Sequence, residues 1–254
     1  MGSAIFGQAM REYLRPKRLL PWIGLSFLCL LLAHFWSTLD PSSKPDGRYA
    51  TVSSILVYRL LALASAIFTT AIITQEVEQR TIVYLLTRPV KRSTLLLVRY
   101  AASVLVVTML GVFGAVLTTL GAFNGLGGNS MLATDILAMS IGAMAYGALF
   151  LFVSLLFNRS LIICALFAFG WEASIPNMPG EMYRLSIFSY LQAIAQHPSQ
   201  GDNKGLALLT GTAGDNAITR NSAFMTLGIL VVVMLALSAW WFTKFEYVPR
   251  EDSE

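Results

Sequence analysis

Between two long apolar runs of this chain lies a charged island, Thr74 to Arg92, whose residue types suit the binding of a partner in water. Glu76, Glu78 and Arg80 set groups of both signs close together, and Thr81 follows them. Leu85 and Leu86 then place two large apolar side chains at the edge of the run, before Arg88, Pro89 and Arg92 supply a turn and a basic cluster. An apolar pair at a water boundary is costly to leave uncovered, and flanking charges fix the orientation of whatever covers it. The chemistry of the island is docking rather than catalysis. A solvated basic loop that only sets topology needs neither the leucine pair nor acids clustered ahead of bases.

Few other residues carry chemistry. Arg59 sits about two turns into an apolar run, shallow enough for its long side chain to reach the membrane surface. The other reading of Arg59 is an outer vestibule residue that contacts an anionic substrate or lipid. Cys29 and Cys164 lie far apart within apolar runs and read as small buried or lipid-facing residues. His34 and His197 are two lone histidines, which fits a structural role better than a metal site. No Gly-x-x-x-x-Gly-Lys-Ser/Thr loop, no His-Glu-x-x-His, no Gly-x-Gly-Asp and no paired in-membrane carboxylates are present, so neither nucleotide hydrolysis nor a membrane-embedded enzyme is expected of this chain.

The elements that position these residues are membrane helices. Hydrophobic residues make up 56% of the 254 and charged residues 13%, and the apolar residues come in blocks, a pattern that excludes an ordinary soluble domain. Crossing a hydrocarbon core of about 30 Å takes about 20 helical residues. Six segments meet or approach that length: Leu19 to Thr38, Ser53 to Thr74, Leu95 to Phe123, Leu132 to Phe157, Leu161 to Ser174, and Ala223 to Phe242. The fifth is the shortest, because Glu172 follows its apolar core at once and Pro176 and Pro179 stop it soon after. The expected fold is therefore all-α and polytopic, a single domain over residues 1–254.

Orientation follows from the basic residues, which are retained on the cytoplasmic side. Arg11, Arg15, Lys17, Arg18, Arg80, Arg88, Lys91, Arg92, Arg99, Arg159, Lys244 and Arg250 fall on one side, against Lys44, Arg48, Arg184, Lys204 and Arg220 on the other. Both termini and the island are thus expected in the cytoplasm, with the chain in the plasma membrane. The net charge of +4 is spread over these inner loops as a topogenic signal, and without a basic face interleaved with aromatics it points to no nucleic-acid partner. The first span lacks a small-x-small cleavage site and is expected to stay in place.

Ahead of the first span, Ile5, Phe6, Ala9, Met10, Tyr13 and Leu14 recur at helical spacing, which predicts an interfacial helix within residues 1–18 that Pro16 ends. Its Lys17 and Arg18 can reach lipid phosphates. Asp40 to Ala50 reads as a turn-rich outer loop without visible chemistry, and Asn124 to Asn129 as a flexible turn. In the long polar region 172–221, Met182 to Ala195 predicts one amphipathic helix or two short ones, lying on or dipping into the outer leaflet, and His197 to Asn221 reads as loop.

The acidic run, Thr81, the Leu85-Leu86 pair, then Arg88-Pro89-Val90 and Arg92, placed between the second and third of six spans, resembles the permease subunits of type-2 ABC transporters. Within them the chain is most similar to the small permeases that include the nitrous-oxide-reductase maturation permease. The resemblance implies that residues 75–94 form a coupling helix that docks into a separate ATPase subunit. Glu76, Glu78 and Arg80 would face that partner, and Leu85 and Leu86 would anchor the helix beside Thr81, Arg88, Pro89 and Arg92. It further implies two ATPase copies that use ATP and Mg, a second permease copy in a homodimer or similar heterodimer, contact with membrane lipid, no cofactor on this chain, and export by alternating access. Arg80 stands where many relatives have glycine, and Val98-Arg99 where many have Gly-Lys. The other functions weighed are a scaffold or mechanotransmitter using the same dock, against which the short outer loops argue, and the embedded enzyme already set aside.

Overall fold

The computed structural model describes residues 2–78, 92–123, 125, 129–157, 159–177, 181–197 and 218–244. Every regular element among the described residues is helical. Helix α1 spans Gly2–Tyr13 and α2 Pro16–Leu39. Helix α3, Pro45–Val52, runs through a π-helical turn at Ser53–Val57 into α4, Tyr58–Glu78. Next come α5, Arg92–Phe123, and α6, Leu132–Leu156. A broken stretch follows: α7 at Ser160–Leu166, a π-helical turn at Phe167–Trp171, the single turn α8 at Glu172–Ser174, and 3-10 turns at Ile175–Asn177 and Met182–Leu185. Helices α9, Ile187–Ala195, and α10, Arg220–Lys244, complete the described chain.

Among the described residues, five helices are long and apolar enough to cross a membrane: Pro16–Leu39, Pro45–Ile72, Ser93–Phe123, Leu132–Leu156 and Arg220–Lys244. They correspond to the first four and the last of the six expected spans. The remaining one takes the form of a shorter apolar helix, Ser160–Ser174. At about 1.5 Å per residue it falls short of a core of about 30 Å. The second span begins earlier than expected, because Pro45 is a good first residue for a helix and the turn-rich segment ends at Lys44.

Helix α6 is the central element, packed on α4, α5, α9 and α10, and its small residues let these neighbours come close. Leu61 of α4 and Leu191 of α9 fill the space beside Gly142, with methyl groups 2.9 and 2.8 Å from where a Cβ would stand. On the other side of α5, the Leu30 carbonyl of α2 lies 2.5 Å from the corresponding point at Gly121. Between membrane helices, where apolar surface gains nothing by leaving lipid, such backbone contact is a main source of attraction.

Helix α1 lies against α5. Its Ala9 and Tyr13 are buried, Tyr13 meets Phe68 edge-on at 5.8 Å, and Gln8 and Arg11 remain exposed. The apolar face expected to rest in lipid thus docks on the bundle, and α1 ends ahead of Pro16, which also opens α2. The starts of α2, α5 and α7 share the α1 end of the bundle; α3 and α9 sit at the opposite, cap end.

Gly121 sets the α2–α5 distance through backbone, which cannot swing aside. Gly121→Ala should cost about 1–3 kcal/mol and lower the thermal midpoint of the detergent-purified chain more than Gly114→Ala, whose new methyl would meet a Val57 methyl at 3.2 Å. Equal midpoints would show that the helices part easily.

Candidate functional site

Asp135 stands in the first turn of α6, wholly buried. A carboxylate inside a membrane bundle is tolerable only when its oxygens are satisfied. Tyr49 of α3 donates its hydroxyl to Oδ2 at 2.6 Å, and Tyr58 at the start of α4 donates to Oδ1 at 2.7 Å. Ser53 Oγ adds a longer contact to Oδ2 at 3.3 Å, and His197 Nε2 approaches Oδ1 at 2.8 Å.

The π-helical turn makes this convergence available. Nine residues of unbroken α-helix rotate through about two and a half turns, which would put Tyr58 on the face opposite Tyr49. The wider turn at Ser53–Val57 takes up one residue and brings Tyr58 back toward the carboxylate. The Asp40 to Ala50 segment, expected to carry no chemistry, thereby supplies one of the two short tyrosine contacts.

His197 arrives from the other direction, at the end of α9. Gln196 adopts a left-handed conformation at φ 55°, which closes the helix and turns the chain back to α6. The imidazole stands edge-on to Tyr49 and Tyr58, at 6.3 and 6.0 Å between ring centroids. Its Nδ1 lies 3.1 Å from Ser54 Oγ, which accepts a bond from Gln192 Nε2 at 3.0 Å. The order Asp135, His197, Ser54 has the residue types of a hydrolase relay. Ser54, however, is 1% exposed, and its hydroxyl is held between His197 and Gln192, so a substrate carbonyl has no approach to it. The arrangement is a clasp that ties α3, α4, α6 and α9 together.

A second buried carboxylate shapes α9 from its other end. Glu172 Oε2 accepts from the Ser186 hydroxyl at 2.5 Å and from the Phe188 N–H at 3.0 Å, and Oε1 accepts from the Ile187 N–H at 3.1 Å. These amides are the unpaired donors of the α9 N-terminus, where negative charge is also favoured by the helix dipole. Ser186 accepts from the Ser189 N–H as the helix cap. Helix α9 is consequently not laid on a leaflet surface: Ile187, Phe188, Leu191 and Ile194 are all buried, and it packs on α6 and α10.

Of the residues expected to bind a partner, Glu76 and Glu78 fall in the last turn of α4 and Arg92 opens α5. Arg80, Thr81, Leu85, Leu86, Arg88 and Pro89 lie outside the described residues. Arg59 is half-buried, with its guanidinium carbon 5.1 Å from the Phe188 ring centroid and within electrostatic reach of Glu172 and Tyr146. Cys29 and Cys164 are buried free thiols, and no group of three metal-ligating side chains occurs among the described residues. The Asp135 cluster has one sequence signal: Asp135 is the single acidic or basic residue of the fourth apolar run, and such a residue normally has a defined partner.

A bundle with five membrane-length helices, a buried polar clasp and a charged segment joining α4 to α5 defines a multi-pass membrane protein. The family model described as ABC-2 family transporter protein matches residues 13–175, which is most of the chain and includes α2 through α7, so the chain belongs to that family. No curated protein matches it.

Removing the Asp135 carboxylate leaves several buried donors without an acceptor, whereas removing one tyrosine hydroxyl leaves the others in place. Tyr49→Phe and Tyr58→Phe should each cost about 0.6–1.7 kcal/mol, the scale of interhelical bonds in membranes. Asp135→Ala should cost about 3–5 kcal/mol. Stability measured by chemical denaturation in mixed micelles checks the order, and an Asp135→Ala chain as stable as either tyrosine variant would contradict the clasp.

Proposed function

We propose that this chain is the membrane-spanning subunit of an ATP-binding cassette exporter, paired with a second permease copy and two copies of a separate ATPase. The observation that carries the reading is the family match over α2 to α7, which includes the whole link between α4 and α5. Helix α4 ends and α5 begins at the α1 end, so a push on the link between them would act along both. Glu76, Glu78, Arg80, Thr81, Leu85, Leu86, Arg88, Pro89 and Arg92 form the proposed dock. The similarity to the nitrous-oxide-reductase maturation permeases belongs to the same proposal.

In this reading the α1 end faces the cytoplasm of a plasma membrane, as the distribution of basic residues supports. ATP and Mg act on the partner, which supplies the energy difference between inward- and outward-facing states. The chain crosses the membrane a fifth time in pieces: α7 and α8 rise from the α1 end, and α9 continues along α6 to the level of Asp135. Two contacts support that path, Leu191 against Gly142 and the Thr134 hydroxyl donating to the Ala195 carbonyl at 3.2 Å. Arg59, beside Glu172 and Phe188, stands next to the join between the pieces and is the residue assigned to substrate or lipid contact.

Reconstitution in nanodiscs with a candidate ATP-binding cassette ATPase tests the dock. The native chain should stimulate ATP hydrolysis, and a Glu76→Ala, Glu78→Ala, Arg88→Ala triple variant should lose most of that stimulation while still inserting. Equal stimulation by both would remove the dock from these residues.

A further inference from the structure

Helix α3, the π-helical turn and α4 join into one span, Pro45–Ile72, and Arg59 lies halfway along it, about 20 Å of helix from either end at 1.5 Å per residue. Half of a hydrocarbon core is about 15 Å thick, so a side chain rooted there cannot snorkel to the surface. In a run that begins at Ser53 the same residue stands only two turns deep; the residues of α3 added in front place it at the middle. A guanidinium at that depth needs acceptors, and the acid nearest to hand is already engaged. Glu172 is within electrostatic reach of Arg59, but its oxygens accept from the Ser186 hydroxyl and from the Ile187 and Phe188 amides. Phe188 covers the guanidinium at 5.1 Å, and Arg59 Nη1 is buried and makes no hydrogen bond. In the same turn of α9 as Phe188, Ser189 Oγ is also buried and accepts and donates none. We propose that Arg59 is the anion-recognition residue of the transport site, where it takes the single carboxylate-like group of a substrate whose remaining surface is apolar.

Three observations select that occupant. Arg59 is half-buried, so its guanidinium is approachable while Nη1 still lacks an acceptor. Leu56 and Leu63, one turn away on either side along the same helix face, are partly buried and apolar, and with the Phe188 ring they suit a hydrocarbon body. Glu172 keeps a negative charge beside the site, which leaves one positive charge to be met and disfavours a dianion. A phospholipid is the poorer occupant, because its phosphate stays at the membrane surface, about 15 Å from the middle of the core. The proposal rests on the transporter reading and chooses a substrate over a lipid at Arg59.

The test is photolabelling of the full chain in phosphatidylcholine nanodiscs with a diazirine-bearing dodecanoic acid, beside the alcohol of the same length and diazirine, with labelled peptides located by mass spectrometry. The acid should label the peptide that contains Phe188 about tenfold more than the alcohol does. Arg59→Gln should bring the acid down to the level of the alcohol. Arg184→Gln, which removes an exposed cation just ahead of α9, should behave as native. A second measurement needs no ligand: the thermal midpoint of Arg59→Met should hold or rise, because Glu172 keeps its three donors. Undiminished labelling in Arg59→Gln, equal loss in Arg184→Gln, or a lowered midpoint in Arg59→Met, which would make Arg59 a structural counter-charge, would overturn the site. No ATPase takes part in either measurement, so loss of the anion site and loss of ATPase coupling are separate results.

Discussion

A carboxylate buried at the cap end of a membrane bundle is the constraint on which the remainder of this structure depends. Asp135 can be held there only if donors from separate segments reach it, and those donors come from α3, from the start of α4 and from His197, two residues past the end of α9. Each requirement has a visible local cost. The α3–α4 helix accepts a π-helical turn, and Gln196 takes a backbone conformation uncommon outside glycine. Polar bonds between membrane helices are individually modest, but a carboxylate with several donors fixes both depth and rotation of every helix that contributes one.

Glu172 applies the same logic to the fifth apolar segment. The helix cannot continue past Ser174 in regular form, and the amides that start α9 would be unpaired inside the bundle without an acceptor. Glu172 supplies that acceptor, so the break and the new helix are parts of one device. Two buried acids therefore bracket α9, one at each end, while the small residues of α6 let it lie close along its length. The α1 end is built differently, from aromatic packing of Tyr13 and Trp22 on Phe68, with Arg11, Arg15 and Lys17 exposed beside it.

Much of this was legible in the residues. Long apolar blocks placed the membrane helices to within a few positions, because a helix that crosses lipid must be continuous and uncharged. The shortness of the fifth segment showed in Glu172, Pro176 and Pro179. The reason for Glu172 did not show, since it lies in its contacts with Ser186, Ile187 and Phe188, more than a dozen residues on. The role of Asp135 is hidden in the sequence for a related reason. Tyr49, Tyr58 and His197 are each unremarkable in sequence, and only a π-helical turn and a left-handed residue, neither of which has a reliable sequence signature, bring them to one carboxylate. The island from Thr74 to Arg92 was the strongest signal in the chain, and most of it lies outside the described residues.

Membership of the ABC-2 family and the meeting of the α4 and α5 ends that flank that island at the α1 end make energy transfer from a cytoplasmic ATPase the central claim. Photo-cross-linking in native membranes addresses it most directly, with a photoreactive amino acid placed at Leu86 in one chain and at Ser42, in the turn at the cap end, in another. The account predicts that position 86 captures an ATP-binding cassette ATPase and that position 42 does not. Capture from position 42, or from neither position while both chains reside in the membrane, would contradict it.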